Sequence, residues 1–213
     1  MERIDAVVFD VGNVLLDWNP RYLYRKLFAD EGRMEWFLAN ICTPAWNIEQ
    51  DRGRSFAEAV SELVGRHPEW ESEIRAFDER WDETVAGEIA GSVALLHEVK
   101  ARLPVYAITN YSREKYARSL QRFAFLSVFD GVVVSAHERL LKPDPAIYRL
   151  FLERYGRSAE TCLFIDDSQR NVDGARSTGM QAIRFLNADQ LATDLALFGL
   201  IEGRGTPVRG PSA

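Results

Sequence analysis

Apolar and polar positions follow two rhythms along the chain. Short runs rich in β-branched residues recur at DAVVFD (5–10), PVYAIT (104–109), FDGVVVS (129–135), TCLFID (161–166) and QAIRFL (181–186). Their apolar character is continuous enough for strands covered on both faces of a parallel sheet. After each of the second to fifth runs the period lengthens to that of a helix, over 112–122, 144–156, 169–178 and 188–198. Alternation of this kind predicts an α/β domain with a doubly wound parallel sheet, a Rossmann-like core.

The first strand breaks the pattern. Almost a hundred residues separate it from the second, where connections ordinarily run about 4–6 residues. The stretch 18–90 contains no convincing strand run and carries YLYRKLF, MEWFLANI, FAEAVSELV and EIRAFDERW at helical spacing, with breaks near Pro44, Gly53 and Pro68. It is expected to be an inserted helical cap, after which SVALLHEVKA (92–101) returns to the core as an amphipathic helix. The expected organisation is a core of 1–17 and 91–202, a cap of 18–90, and a frayed Gly- and Pro-rich tail of 203–213.

Composition narrows the function. With 213 residues, 46% of them apolar and 27% charged, the chain can bury a core of ordinary size. The net charge is -6 and the 26 basic residues are scattered, which argues against nucleic acid as a partner while leaving room for a small anion at a local positive site. Cys42 and Cys162 are far apart and lack metal-type spacing, so buried thiols are expected. MERIDAVVFD resembles neither a signal peptide nor a membrane span. A cytoplasmic protein without a membrane partner, monomeric or homodimeric, is the expectation.

Ligands of open parallel sheets bind beyond the carboxyl ends of the strands. There the first strand ends at Asp10, the second at Thr109 and Asn110, and the fourth at Asp166 and Asp167, while Lys142 lies in the loop after the third. Three carboxylates on one rim repel each other unless a cation intervenes. An all-oxygen donor set suits Mg²⁺, and His67, His97 and His137 form no ligand pair for zinc. Lys142 offers a point charge to a carboxylate or a phosphoryl group. Thr109 and Asn110 sit where a helix begins and can donate to phosphate oxygens. Asp10 would then attack in line, and water would hydrolyse the resulting aspartyl phosphate.

These residues resemble the haloacid dehalogenase-like hydrolase superfamily, whose four motifs appear in order: FDVGNVL with Asp10, ITN with Thr109 and Asn110, KPDPAIY with Lys142, and FIDDSQRNVDGA with Asp166 and Asp167. The likeness spans nearly the whole chain, including the cap after the first strand, and FDVGNVLLD is similar to the branch of bacterial sugar-1-phosphate phosphatases. It implies a Mg²⁺-dependent phosphatase of small phosphorylated metabolites. Asp10 would be nucleophile and metal ligand, Asp167 the main ligand of the fourth motif, Asp166 a second or outer ligand, and the carbonyl of Gly12 a further one.

One departure bears on mechanism. Family phosphatases usually carry a second Asp two residues after the nucleophile as general acid and base, whereas this chain has Gly12. The carbonyl survives that change, but the carboxylate is lost. Esters with acidic leaving groups, glucose 1-phosphate among them, are therefore the expected substrates. In the cap, Trp18, Trp46 and Arg52 are candidates to line the substrate pocket, although such aromatics serve equally as core. Asp144 reads as a helix cap, and Gly12–Asn13 as a tight turn. Two other readings stay open: a metal-independent 2-haloacid dehalogenase, which Asp166–Asp167 would burden with needless negative charge, and a phosphate-ligand-binding module weakened by Gly12.

Overall fold

The computed structural model describes residues 3–202; the tail expected over 203–213 lies outside the described residues. Strand β1 (Ala6–Phe9) opens the core, and β2 (Leu16–Trp18) leads into α1 (Arg21–Tyr24), α2 (Glu31–Asn40), α3 (Pro44–Asp51), α4 (Phe56–Arg66) and α5 (Glu71–Glu79). Strand β3 (Val85–Glu88) leads out. The chain continues through α6 (Ala90–Lys100), β4 (Val105–Thr109), α7 (Arg113–Arg122), β5 (Gly131–Val134), α8 (Ser135–Glu138) and α9 (Pro145–Tyr155). It closes with β6 (Cys162–Asp166), α10 (Gln169–Arg176), β7 (Gln181–Arg184) and α11 (Ala188–Leu197).

Five strands form one parallel sheet in the order β5-β4-β1-β6-β7. The order reverses at β1, so the site-bearing strand ends meet at the sheet's centre. Alternate residues of β1 enter two cores. Val7 and Phe9 pack with Leu95 and Leu96 of α6 and Leu191 and Leu195 of α11, while Ala6 and Val8 pack with Ile147, Tyr148 and Phe151 of α9. Every residue of β1, β4 and β6 is buried, which is why these runs read as unbroken apolar stretches. No described helix is long and apolar enough to cross a membrane.

The cap has its own aromatic centre, with ring centroids of Tyr24 and Phe37 5.1 Å apart and those of Phe37 and Trp70 5.3 Å apart. The break expected near Pro44 falls between α2 and α3, and Pro44 opens α3 behind Thr43, whose Oγ1 accepts from the Trp46 N–H at 3.0 Å. That is the one helical position where proline costs no backbone bond. Ser55 and Glu58 form a reciprocal capping box on α4, and Asp144 caps α9 by accepting from the Ala146 N–H at 2.9 Å, as its sequence position implied.

The structure differs from the expected cap in one respect: its neck is a two-stranded antiparallel ribbon, β2 with β3. These strands escaped the apolar pattern because they span 3 and 4 residues, face solvent in part, and include Gly87 at a φ of +152°. The cap is also tied down along α7. Lys115 pairs with Asp78, Arg118 pairs with Asp82, and Glu114 Oε1 accepts from the Phe56 N–H at 3.1 Å.

One glycine sets the position of the loop carrying Lys142. A methyl at Gly174 of α10 would lie 2.5 Å from the Pro143 carbonyl oxygen and 3.1 Å from the Tyr148 ring, so only hydrogen lets helix and loop come this close. Gly174→Ala is expected to lose about 1–3 kcal/mol by overpacking, read as a lower urea midpoint. Unchanged stability would mean that loop and helix are free to separate.

Candidate active site

Asp10, Lys142 and Asp166 meet at the rim although each is almost wholly buried. Lys142 Nζ lies 2.8 Å from Asp10 Oδ1 and 2.7 Å from Asp166 Oδ2. One oxygen each from Asp10, Asp166 and Asp167 lie within 4.8 Å of one another. The four charges picked out in the sequence thus lie together: adjacent strands β1 and β6 deliver the acids, and the loop beyond β5 delivers the lysine.

Asp166 is held completely. Besides Lys142, its Oδ1 accepts from the Ser168 N–H at 2.8 Å and from Asn171 Nδ2 at 2.9 Å. Asp10 Oδ1 accepts from the Val11 N–H at 2.7 Å. Asn110 takes a part that its position alone did not reveal. Its Nδ2 donates to the Lys142 carbonyl at 3.0 Å and its Oδ1 accepts from the Lys142 N–H at 2.8 Å, a two-bond clamp on the lysine's backbone. The side-chain amide is thus engaged with the loop, and Thr109 beside it is buried.

Electrostatics follow from the imbalance of one ammonium against three carboxylates. Burial pushes Asp10 up to about 7, and Asp166 and Asp167 add to the rise while Lys142 opposes it. Burial works against the Lys142 charge, yet Asp10 and Asp166 outweigh it and its pKa is raised. Asp167 is also raised, first by burial and then by Asp166. With every group ionised the cluster carries two uncompensated negative charges, and its donors are all oxygen. Both properties fit a hard divalent cation such as Mg²⁺.

Gly12 lies beside this cluster in a backbone conformation open to any residue, the positive φ of the turn (56°) being carried by Asn13. A Cβ at Gly12 would meet nothing within 4 Å. A pocket adjoins it between rim and cap, walled by Trp18, Phe56, Trp81 and Tyr111, with Asp51 and Asn110 among its polar members. Of the expected cap residues, Trp18 reaches this pocket. Trp46 instead packs edge-on against Phe77 at 5.2 Å, inside the cap. Arg52 is exposed, 3.5 Å from Glu49, and borders a neighbouring hollow that includes Lys142 and Asn171.

Sequence reasoning missed Asn171 and Asp51. Asn171 lay in the first turn of the helix after Asp166, where a side chain can turn back to the strand end. Asp51 ends α3, at the negative pole of the helix dipole where a carboxylate is disfavoured. That misplacement was a legible signal.

Lys142→Met is expected to lower stability by about 3–5 kcal/mol in metal-free buffer, since it leaves two buried carboxylates facing each other. Urea denaturation at neutral pH checks this. A loss below about 1 kcal/mol would mean that the carboxylates neutralise themselves by taking up a proton.

A family model for haloacid dehalogenase-like hydrolases matches residues 4–179. The sesquiterpene phosphatase astK of Aspergillus oryzae is 27% identical over 92% of this chain and 96% of its own. The fructose-1-phosphate phosphatase YqaB of Escherichia coli is 25% identical over 85% of this chain and 96% of its own. Among solved structures, the HAD family enzyme bt-2542 of Bacteroides thetaiotaomicron, in complex with magnesium and inorganic phosphate, superimposes with a TM-score of 0.69. It is 18% identical, covering 86% of this chain and 95% of that one, a likeness of fold.

Proposed function

The chain belongs to the haloacid dehalogenase-like hydrolase family, and we propose that within it this protein is a Mg²⁺-dependent phosphatase of small phosphorylated metabolites, sugar 1-phosphates among them. The observation that carries this reading is the Asp10 carboxylate, 2.8 Å from a buried lysine and within 4.8 Å of oxygens from two further carboxylates. The phosphatase names of the two relatives support it.

Asp10, Asp166, Asp167 and the Gly12 carbonyl are the residues that would hold Mg²⁺. When bound, the ion neutralises the excess negative charge and screens phosphate oxygens from the carboxylates. The chain's own groups do the rest. Lys142 Nζ, anchored by Asp166 and clamped through Asn110, favours the ionised form of Asp10 against its burial and holds Asp10 Oδ1 at 2.8 Å. Thr109 and the backbone N–H of Asn110 orient the phosphoryl group. Asp10 attacks phosphorus as the ester oxygen departs, and water then cleaves the acyl phosphate. The buried setting strengthens each of these polar contacts relative to water.

For the leaving group, the pocket offers aromatic walls together with Asn47, Asp51 and Asn110. Aromatic faces with a few polar groups suit a sugar ring. The same walls favour a second reading, a prenyl phosphate, in keeping with the sesquiterpene phosphatase relative.

A panel of glucose 1-phosphate, fructose 1-phosphate and farnesyl phosphate, assayed for phosphate release with and without Mg²⁺, tests the reading. Metal-dependent release by the wild type and essentially none from Asp10→Asn are expected, an amide being a poor nucleophile. Release that continues in EDTA, or survives in Asp10→Asn, would overturn it.

A further inference from the structure

Hydrolysis of a phosphate ester has a proton requirement that the rim cluster does not meet. An alkoxide leaves in the first step and needs a proton, and the water that attacks in the second must lose one. Position 12, beside the nucleophile, has no side chain, and the space in front of its Cα is open for 4 Å. The donor must therefore come from elsewhere around the pocket.

The titratable side chains that line it are Asp51, Lys115 and Tyr111. Lys115 is committed to Asp78, with a second bond to the Asp78 carbonyl at 2.9 Å. Tyr111 shares its hydroxyl with Ser119 Oγ at 2.8 Å, and burial raises its pKa far from neutrality. Asp51 differs from both. Its carboxylate faces the backbone N–H of Ser112 and senses the charge of Lys142. Burial pushes its carboxyl up to about 7, outweighing both of those influences, so that near neutrality it can give a proton and take one back.

Asp51 is also fixed in place. It ends α3, and its carbonyl oxygen accepts from Ser135 Oγ at 2.6 Å, while the same hydroxyl accepts from the Tyr111 N–H at 2.9 Å. This joins the end of a cap helix to the strand ends of the core, across the mouth of the pocket that Gly12 borders.

We propose that Asp51, reaching the pocket from the cap, is the general acid and base of the phosphatase in place of a carboxylate at position 12. The inference rests on the phosphatase reading. In the first step the Asp10–phosphorus bond forms, the phosphorus–oxygen ester bond breaks, and the Asp51 proton goes to the departing oxygen, giving a neutral alcohol. In the second, Asp51 carboxylate takes a proton from water as its oxygen bonds to phosphorus, phosphate leaves Asp10, and Asp51 is again protonated. The preference for acidic leaving groups expected from Gly12 then disappears from the wild type.

The test compares wild type, Asp51→Asn, Asp10→Asn and the double variant Gly12→Asp/Asp51→Asn, all with Mg²⁺, on ethyl phosphate and p-nitrophenyl phosphate. Asp51→Asn should lose about 10²–10⁴ in kcat on ethyl phosphate. On p-nitrophenyl phosphate, whose leaving group needs no proton, it should release a rapid burst of nitrophenolate and then turn over slowly, with phosphate trapped on Asp10. The open space at position 12 should let the double variant recover ethyl phosphate hydrolysis. Asp51→Ser serves the same comparison should the amide disturb α3. Equal losses on both substrates without a burst, or Asp51→Asn activity equal to wild type, would overturn the assignment of Asp51 while leaving the phosphatase reading intact. A wild type silent on both substrates would overturn the reading itself.

Discussion

One ammonium group set against three carboxylates is the constraint around which the rim is built. A lysine as buried as Lys142 is tolerated only because Asp10 and Asp166 lie within 2.8 Å of it, and those acids are tolerated only because the lysine is there. The pairing does not balance. Burial, with the remaining negative charge adding to it, pushes Asp10 up to about 7, and that uncompensated charge suits a dication. A fully neutral cluster would be more stable and would have no reason to hold a metal.

Much of the surrounding structure holds that single lysine still. Asn110 grips its backbone from the end of β4, Gly174 lets α10 press against the following proline, and Asn171 and Ser168 fix the acid that faces it. These contacts come from three different strand-to-helix connections. The adjacency of β4, β1 and β6 in the sheet makes them neighbours, so the parallel topology is itself what assembles the site. A displacement of any of these connections would reach Asp10 through Lys142, which is how residues outside the charge cluster can govern it.

The core was legible because its strands are buried on both faces: β1, β4 and β6 show as apolar runs ending in the polar residues of the site. The cap was legible as helix for the same reason in another rhythm. What escaped lacked a long enough pattern. The ribbon of Leu16–Trp18 with Val85–Glu88 is too short for alternation to register, and its pairing joins residues some seventy positions apart. Pro44 marked the break between α2 and α3, and Thr43 just before it is the residue that makes it a helix start. Within the site, charges at strand ends could be found by rule, while Asn110 as a clamp and Asn171 as a support could not, because either amide would read equally well as a turn former. Trp46 illustrates the converse: its spacing allowed pocket or core, and in the structure it packs edge-on against the rings of Phe56 and Phe77.

Asp51 brings the cap into the chemistry. Asp10 and Lys142 belong to the core, where each buried charge is tolerated because the other faces it. A proton donor needs an environment that holds it near its own titration point. A carboxylate at the end of a short cap helix, lodged over an apolar pocket with one backbone bond, has that environment. Placing the acid on the insertion also ties proton transfer to cap position, because the bond from Ser135 to the Asp51 carbonyl holds only while the end of α3 rests on the rim. In such an arrangement the cap selects the leaving group and protonates it with the same surface. Moving the carboxylate back to position 12 would separate those two tasks again.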